Sequence, residues 1–120
     1  MSAKFEKFSR RGHLPPLKFG TQLKQLDETT MFYYRLINSR GETILSSDGY
    51  SSIELRDKAI AAVKLYADYD ERFERCSSPD SKWFFTLRAG NFKVIGSSRH
   101  YNTSAEMEAG ITELRSVVTN

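Results

Sequence analysis

A chain of 120 residues is long enough for one hydrophobic core and too short for two independent ones. With 39% hydrophobic, 12% aromatic and 28% charged residues, its composition excludes an intrinsically disordered chain. No run approaches the ~20 apolar residues of a membrane span, and a single cysteine, Cys76, forms no internal disulfide. We therefore expect one folded, cytoplasmic protein.

The net charge of +3 is unevenly distributed along the chain. Residues 1–24 carry six Lys or Arg and one Glu, a net charge of +5, whereas residues 25–120 carry twelve Lys or Arg and fourteen Asp or Glu, a net charge of −2. The first segment is also rich in Gly and Pro, which favours irregular backbone. We predict a basic N-terminal tail over residues 1–20, extended or partly disordered, and a single domain over residues 21–120.

Two segments of this domain resemble each other. When residues 32–64 are laid over residues 83–115 at a constant offset of 51, six positions are identical without any gap. The identical pairs are Leu36 and Leu87, Ile44 and Ile95, Ser46 and Ser97, Ser47 and Ser98, Tyr50 and Tyr101, and Ile60 and Ile111. A gap-free match of this length indicates a duplication, with repeats of about residues 21–69 and 70–120.

The sequence of each repeat predicts three strands and a helix. Aromatic and β-branched runs indicate the strands, polar segments indicate the turns, and apolar residues at helical spacing indicate the helix. Ser51 with Glu54, and Thr103 with Glu106, have the spacing of the capping box that begins a helix. The predicted elements are residues 22–26, 31–37, 42–47 and 52–66 in the first repeat, and residues 72–77, 82–88, 93–98 and 104–118 in the second.

The aromatic strands set the predicted architecture, because their alternation places Tyr34 and Leu36, or Phe85 and Leu87, on one buried face. One repeat of about 50 residues has too much surface to cover both its sheet face and its helix stripe. We therefore predict an α+β fold of two layers, in which two tandem β-β-β-α repeats related by pseudo-twofold symmetry form a mainly antiparallel sheet with two helices on one face.

The motif Ile-x-Ser-Ser-x-x-Tyr, at residues 44–50 and 95–101, lies in both repeats between an aromatic strand and a Ser/Thr-capped helix. Over residues 22–118, this arrangement resembles the YegP-like family of small bacterial proteins, most closely from Trp83 to Ser98. The resemblance implies the fold and no activity, because the family is a domain of unknown function. It also implies units that occur in tandem or pair as dimers. This chain departs from the family in its basic N-terminal segment and in Phe92, which stands in a turn.

The repeated motif supplies a candidate ligand site near the start of each helix, where hydroxyl groups can bind an anion or a polar molecule. Its residues are Ser46, Ser47 and Tyr50 in the first repeat and Ser97, Ser98 and Tyr101 in the second. The alternative, which we favour, is that the serines bond to loop backbone while the tyrosines fill the edge of the core.

The sequence contains no convincing pattern of catalytic residues or metal ligands. His100 follows Ser97 and Ser98, but no acid is placed to orient it, so we predict no catalytic residue. The acidic residues at 68–71 are followed at once by arginines, which favours a solvated linker over a metal site. We expect no cofactor, no metal and a non-enzymatic module for binding or protein interaction.

Nucleic-acid association is the alternative function. Aromatic and arginine side chains on an open sheet face are typical of proteins that bind single-stranded nucleic acid. The net charge of −2 on residues 25–120, however, gives little attraction to phosphate. The candidate residues are Arg10, Arg11 and Lys18 in the tail and Tyr33, Arg35, Phe84 and Arg88 on the sheet. The partner is left open among a protein, a second copy of this chain and nucleic acid, and no membrane partner is predicted.

Overall fold

The computed structural model describes residues 3–13 and 28–118. Its elements are β1 (Lys4–His13), β2 (Glu28–Ile37), β3 (Thr43–Ser46), α1 (Ile53–Tyr66), β4 (Phe73–Ser77), β5 (Trp83–Arg88), β6 (Val94–Ser97) and α2 (Ser104–Val118), with a short 3₁₀ turn at Asp70–Arg72 before β4. The six strands form one antiparallel sheet in the order β1-β2-β3-β6-β5-β4, and the two helices cover one face of it. This is the predicted two-layer α+β fold.

The two repeats meet at the centre of the sheet, where β3 pairs with β6. The one registered pair between these strands is Ser46 with Ser97, which are equivalent residues of the two repeats. A pseudo-twofold axis therefore passes between the two serines, and the outer strands follow in mirrored order on each side.

The core lies between the sheet and the helices. Tyr34, Leu36, Phe85 and Leu87 are almost fully buried, as the alternation of their strands predicts. The helices contribute five buried side chains that complete this core, namely Ile60, Val63, Met107, Ile111 and Leu114.

Two contacts across the axis differ between the repeats. Leu45 is fully buried, and its side chain covers Gly96, where an added Cβ would lie only 2.6 Å from the Leu45 Cγ. Gly96 is the equivalent of Leu45, so one repeat contributes a large side chain and the other leaves room for it. The hydroxyl of Tyr34 donates a hydrogen bond to the carbonyl of Ile95, and burial raises the pKa of this hydroxyl.

The first strand of the sheet lies within the predicted tail. Lys4–His13 pairs with β2 over ten residues, and Phe5 lies opposite Leu36 as Phe73 lies opposite Leu87. Residues 4–9 (KFEKFS) resemble residues 72–77 (RFERCS), but at an offset of 68. The offset differs from 51 because the connection from β1 to β2 is longer than that from β4 to β5. Since β1 is a strand of the sheet, the folded domain begins before residue 21. The strand predicted at residues 22–26 lies outside the described residues.

The helix starts follow the capping prediction in one repeat only. Thr103 and Glu106 form the reciprocal capping box, with both backbone-to-side-chain hydrogen bonds at 3.1 Å. In the first repeat the predicted pair of Ser51 with Glu54 is wrong, because Ser52 is the N-cap and accepts a hydrogen bond from the Leu55 amide. None of the helices in the described parts of the chain is long and apolar enough to cross a membrane.

Candidate functional site

The paired serines of the motif have backbone roles. The hydroxyl of Ser47 accepts a hydrogen bond from the amide of Tyr34, and that of Ser98 from the amide of Phe85, both at 2.9 Å. Ser46 and Ser97 pair on the other side of the sheet, away from the helices. The four serines therefore do not converge on one ligand site.

The two tyrosines of the motif line two clefts, one beside each tyrosine. Tyr101 lies in a cleft of about 440 Å³, and Tyr50 lies in one of about 310 Å³ at the equivalent place. Each cleft lies between the helix that follows its tyrosine and the hairpin turn of the other repeat. Both repeats are therefore needed to build each cleft.

Charged side chains line the larger cleft, which we call the polar cleft. Its wall and floor include Arg40, Arg99, Tyr101, Glu106, Gly110 and Glu113. Arg40 comes from the turn between β2 and β3, whereas both glutamates belong to α2. The cleft thus presents two cations and two anions.

A hydrogen-bond network fixes the turn of the polar cleft to α2. The side-chain amide of Asn38, which is buried, donates to Glu42 at 2.9 Å and to Glu113 at 3.1 Å. Arg40 donates to the same two carboxylates. Hydrogen bonds from Asn38 and Arg40 lower the pKa of Glu42, so this carboxylate is ionised at neutral pH.

Tyr101 forms the floor of the polar cleft and is only 8% exposed. The guanidinium of Arg99 lies over its ring, 5.2 Å from the centroid. Its hydroxyl is buried against Gly110 and has no hydrogen-bond partner among the described residues. Ala59 is the equivalent of Gly110, so only the second helix lets a tyrosine hydroxyl approach this closely.

The smaller cleft, which we call the apolar cleft, has the same frame and different chemistry. Its lining includes Tyr50, Leu55, Lys58, Ala62, Lys93 and Val94. Leu55 stands where the polar cleft has Glu106, and Ala62 where it has Glu113. In the turn, Lys93 is the equivalent of Glu42, which reverses the charge. The two clefts therefore diverged at equivalent positions.

The sheet face opposite the helices, which we call the open face, carries two aromatic stacks. The rings of Phe8 and Tyr33 stack with centroids 5.2 Å apart, and those of Phe84 and His100 stack at 4.8 Å. The Arg10 guanidinium lies 5.8 Å from the Phe8 centroid and 5.6 Å from that of Tyr33.

The structure distributes the candidate nucleic-acid residues over several surfaces. Arg10, Tyr33, Arg35, Phe84 and Arg88 lie on the open face, as their strand positions predict. Arg11 alternates to the other side of β1, and Lys18 lies outside the described residues.

Two arginines of the open face are paired with carboxylates. Arg35 lies 2.5 Å from Glu6, and Arg88 lies 2.6 Å from Glu74. The hydrogen bond from Arg88 lowers the pKa of Glu74. Both arginines are therefore partly neutralised as phosphate ligands.

The residues that could support catalysis are engaged elsewhere. The Ser98 hydroxyl also donates to the carbonyl of Arg99 at 2.7 Å, while the His100 ring lies on Phe84. Burial raises the pKa of the Cys76 thiol, which disfavours a reactive thiolate. Within residues 3–13 and 28–118, no three His, Cys, Asp or Glu side chains come together as a metal site.

Sequence reasoning missed most of the residues that line the clefts. Arg40 and Glu113 lie far apart along the chain, and the same is true of Lys58 and Lys93. Each cleft joins a turn of one repeat to the helix of the other, which no motif within one repeat reveals. The available signal was the set of equivalent positions at which the repeats differ in charge.

The backbone role of Ser98 predicts a different cost for each serine of its pair. Ser98→Ala leaves a buried amide unpaired, so we expect a loss of about 1–3 kcal/mol in the free energy of unfolding. Ser97→Ala is the matched control, for which we expect a change within about 0.5 kcal/mol. Urea denaturation of the two variants measures both values, and equal losses would contradict the assignment.

Comparison with known proteins agrees with the duplicated fold. The family model described as a domain of unknown function (DUF1508) matches residues 27–74 and again residues 78–120. The UPF0339 protein YegP of Escherichia coli O157:H7 is 36% identical over 86 residues, which cover 72% of this chain and 78% of that protein.

Two solution NMR structures are similar to this chain. The protein of unknown function yegP from E. coli matches with a TM-score of 0.71 at 36% identity, over 75% of this chain and 78% of that one. The UPF0339 protein SO3888 from Shewanella oneidensis matches with a TM-score of 0.75 over 100% of this chain and 87% of that one, and at 22% identity it supports the fold alone. The chain therefore belongs to the YegP-like DUF1508 family of unknown function, with two copies of the domain in tandem.

Proposed function

We propose that this protein is a non-enzymatic binding module whose ligand is a small zwitterion, such as a free amino acid, held in the polar cleft. The observation that carries the proposal is the hydroxyl of Tyr101, which is buried at the floor of this cleft with no hydrogen-bond partner among the described residues. A buried hydroxyl without a partner costs about 1–3 kcal/mol. A polar ligand that enters beside Gly110 would supply the missing partner after a small movement of the ring.

The charges around the cleft favour a ligand that carries both signs. Arg40 and Arg99 attract a carboxylate, whereas Glu106 and Glu113 attract an ammonium group. A ligand of one sign would meet two like charges as well as two opposite ones. Arg99 is the more weakly paired of the two cations, because it lies 3.9 Å from the carboxylate of Glu42, whereas Arg40 donates a hydrogen bond to the same carboxylate at 2.9 Å.

Titration of the full chain with glycine, serine, glutamate and arginine, followed by NMR of the backbone amides, tests this proposal. We expect saturable shifts at Tyr101, Gly110 and Glu113 with at least one of these amino acids. Arg99→Ala should weaken binding about tenfold or more, which corresponds to about 1.4 kcal/mol.

Arg88→Ala is the matched control, because it removes an arginine of similar exposure from the open face. It should leave the dissociation constant unchanged. Absence of saturable shifts at millimolar amino acid, or equal weakening by both variants, would contradict the proposal.

Single-stranded nucleic acid is a second candidate ligand, on the open face. The observation that favours it is Arg10, whose guanidinium lies over both rings of the Phe8 and Tyr33 stack. Bases stack on aromatic and guanidinium planes, and cations beside them attract phosphate.

Arg10→Ala tests this second candidate without removing β1, which deletion of the N-terminal residues would do. Fluorescence anisotropy with a labelled single-stranded oligonucleotide should show binding that weakens with added salt. Arg10→Ala should lower the affinity, and Lys64→Ala, on α1, should not. If the oligonucleotide does not bind at low salt, or if the two variants are equivalent, this candidate is excluded.

A further inference from the structure

The apolar cleft includes part of the exposed apolar surface of the molecule. Among the described residues, six large hydrophobic side chains are exposed, and all belong to α1, to the segment after it or to the β5–β6 hairpin. They are Ile53, Leu55, Leu65, Tyr69, Phe92 and Val94. Leu55 and Val94, which are 46% and 36% exposed, line the apolar cleft itself. Clustered exposed apolar side chains are a feature of binding surfaces.

Two lysines flank this apolar surface from opposite walls. Lys58 belongs to α1, whereas Lys93 belongs to the turn between β5 and β6. No carboxylate lines the apolar cleft in the part of the chain that the structure describes. The equivalent of Lys93 is Glu42, so a positive charge stands here where the polar cleft has a negative one beside it.

The turn that carries Lys93 is held in an unusual conformation. Phe92 has a φ of 65° at the position where the first repeat has Gly41, with a φ of 80°. A bulky side chain rarely occupies this region of backbone conformation. Arg72 lies over the Phe92 ring at 4.9 Å, and Arg88 donates to the Phe92 carbonyl at 2.7 Å. These contacts keep the wall of the apolar cleft in place.

We propose that the apolar cleft binds a small amphipathic carboxylate. The apolar body of the ligand lies against Leu55, Ala62 and Val94, and its carboxylate lies between Lys58 and Lys93. A cleft of about 310 Å³ has room for a small ligand of this kind, and octanoate is a probe with such an apolar body and a carboxylate. This site shares no residue with the polar cleft. The proposal can therefore be tested independently of the proposed binding of a zwitterion in the polar cleft.

Octanoate is the probe that tests the proposal, added to the full chain while backbone amides are followed by NMR. We expect saturable shifts at Leu55, Ala62 and Val94, with a submillimolar dissociation constant. Octylammonium has the same apolar body and the opposite charge, and it should bind at least tenfold more weakly. Butyrate has the same charge and a shorter body, and it should also bind more weakly.

Substitutions of exposed lysines keep the fold intact and separate charge from apolar contact. Lys58→Ala combined with Lys93→Ala should weaken octanoate binding at least tenfold. Lys93→Glu, which introduces the charge of the other repeat, should weaken it more than Lys93→Ala does. Lys64→Ala is the matched control, because Lys64 lies on the same helix outside the cleft. It should leave the dissociation constant unchanged.

Three results would overturn the proposal. Octylammonium could bind as tightly as octanoate, which would indicate apolar contact without charge recognition. Octanoate could shift amides of the polar cleft instead of those at Leu55 and Val94. Sedimentation velocity could show a dimer that Leu55→Lys disrupts and octanoate does not, in which case a second copy of this chain occupies the apolar surface.

Discussion

The pairing of β3 with β6 is the interaction on which the rest of the structure depends. These strands have four residues each and share one registered pair, Ser46 with Ser97, yet they turn two three-stranded sheets into one sheet of six. A single repeat of about 50 residues buries too small a fraction of its surface to be more than marginally stable alone. The contact of Leu45 with Gly96 and the hydrogen bond from Tyr34 reinforce this short pairing on the buried side.

The same pairing explains why the molecule has two clefts with different chemistry. Because the repeats are related by a pseudo-twofold axis, the hairpin turn of each one reaches the helix of the other. Each cleft is therefore defined jointly by the turn of one repeat and the helix of the other. Charged residues at 40, 106 and 113 line the polar cleft, and Glu42 lies beside it. Their equivalents at 91, 55, 62 and 93 line the apolar cleft, where the only charge among the four is that of Lys93. The two repeats thus share one fold, while the charges that line their clefts differ.

Local signals predicted most of the fold, because each repeat carries its own strand alternation, turns and helix start. The strand β1 was not predicted, because the longer connection from β1 to β2 gives it a different offset from its equivalent in the second repeat. Phe5 and Glu6 nevertheless match Phe73 and Glu74. The clefts escaped because they are built from residues distant in sequence. The burial of Tyr101 against Gly110 depends on the approach of a helix to a loop, which residue patterns do not specify.

The most direct test is an exchange of Leu45 and Gly96, the equivalent residues that contact each other across the pseudo-twofold axis. Leu45→Gly alone leaves a cavity, which should cost at least about 3 kcal/mol in the free energy of unfolding, and Gly96→Leu alone overpacks the core by about 1–3 kcal/mol. The chain that carries both substitutions places a leucine over a glycine again, with the repeats exchanged. Urea denaturation should show that the double variant recovers most of the stability lost in each single one. A double variant that loses the sum of the two single losses would contradict the central role of this contact.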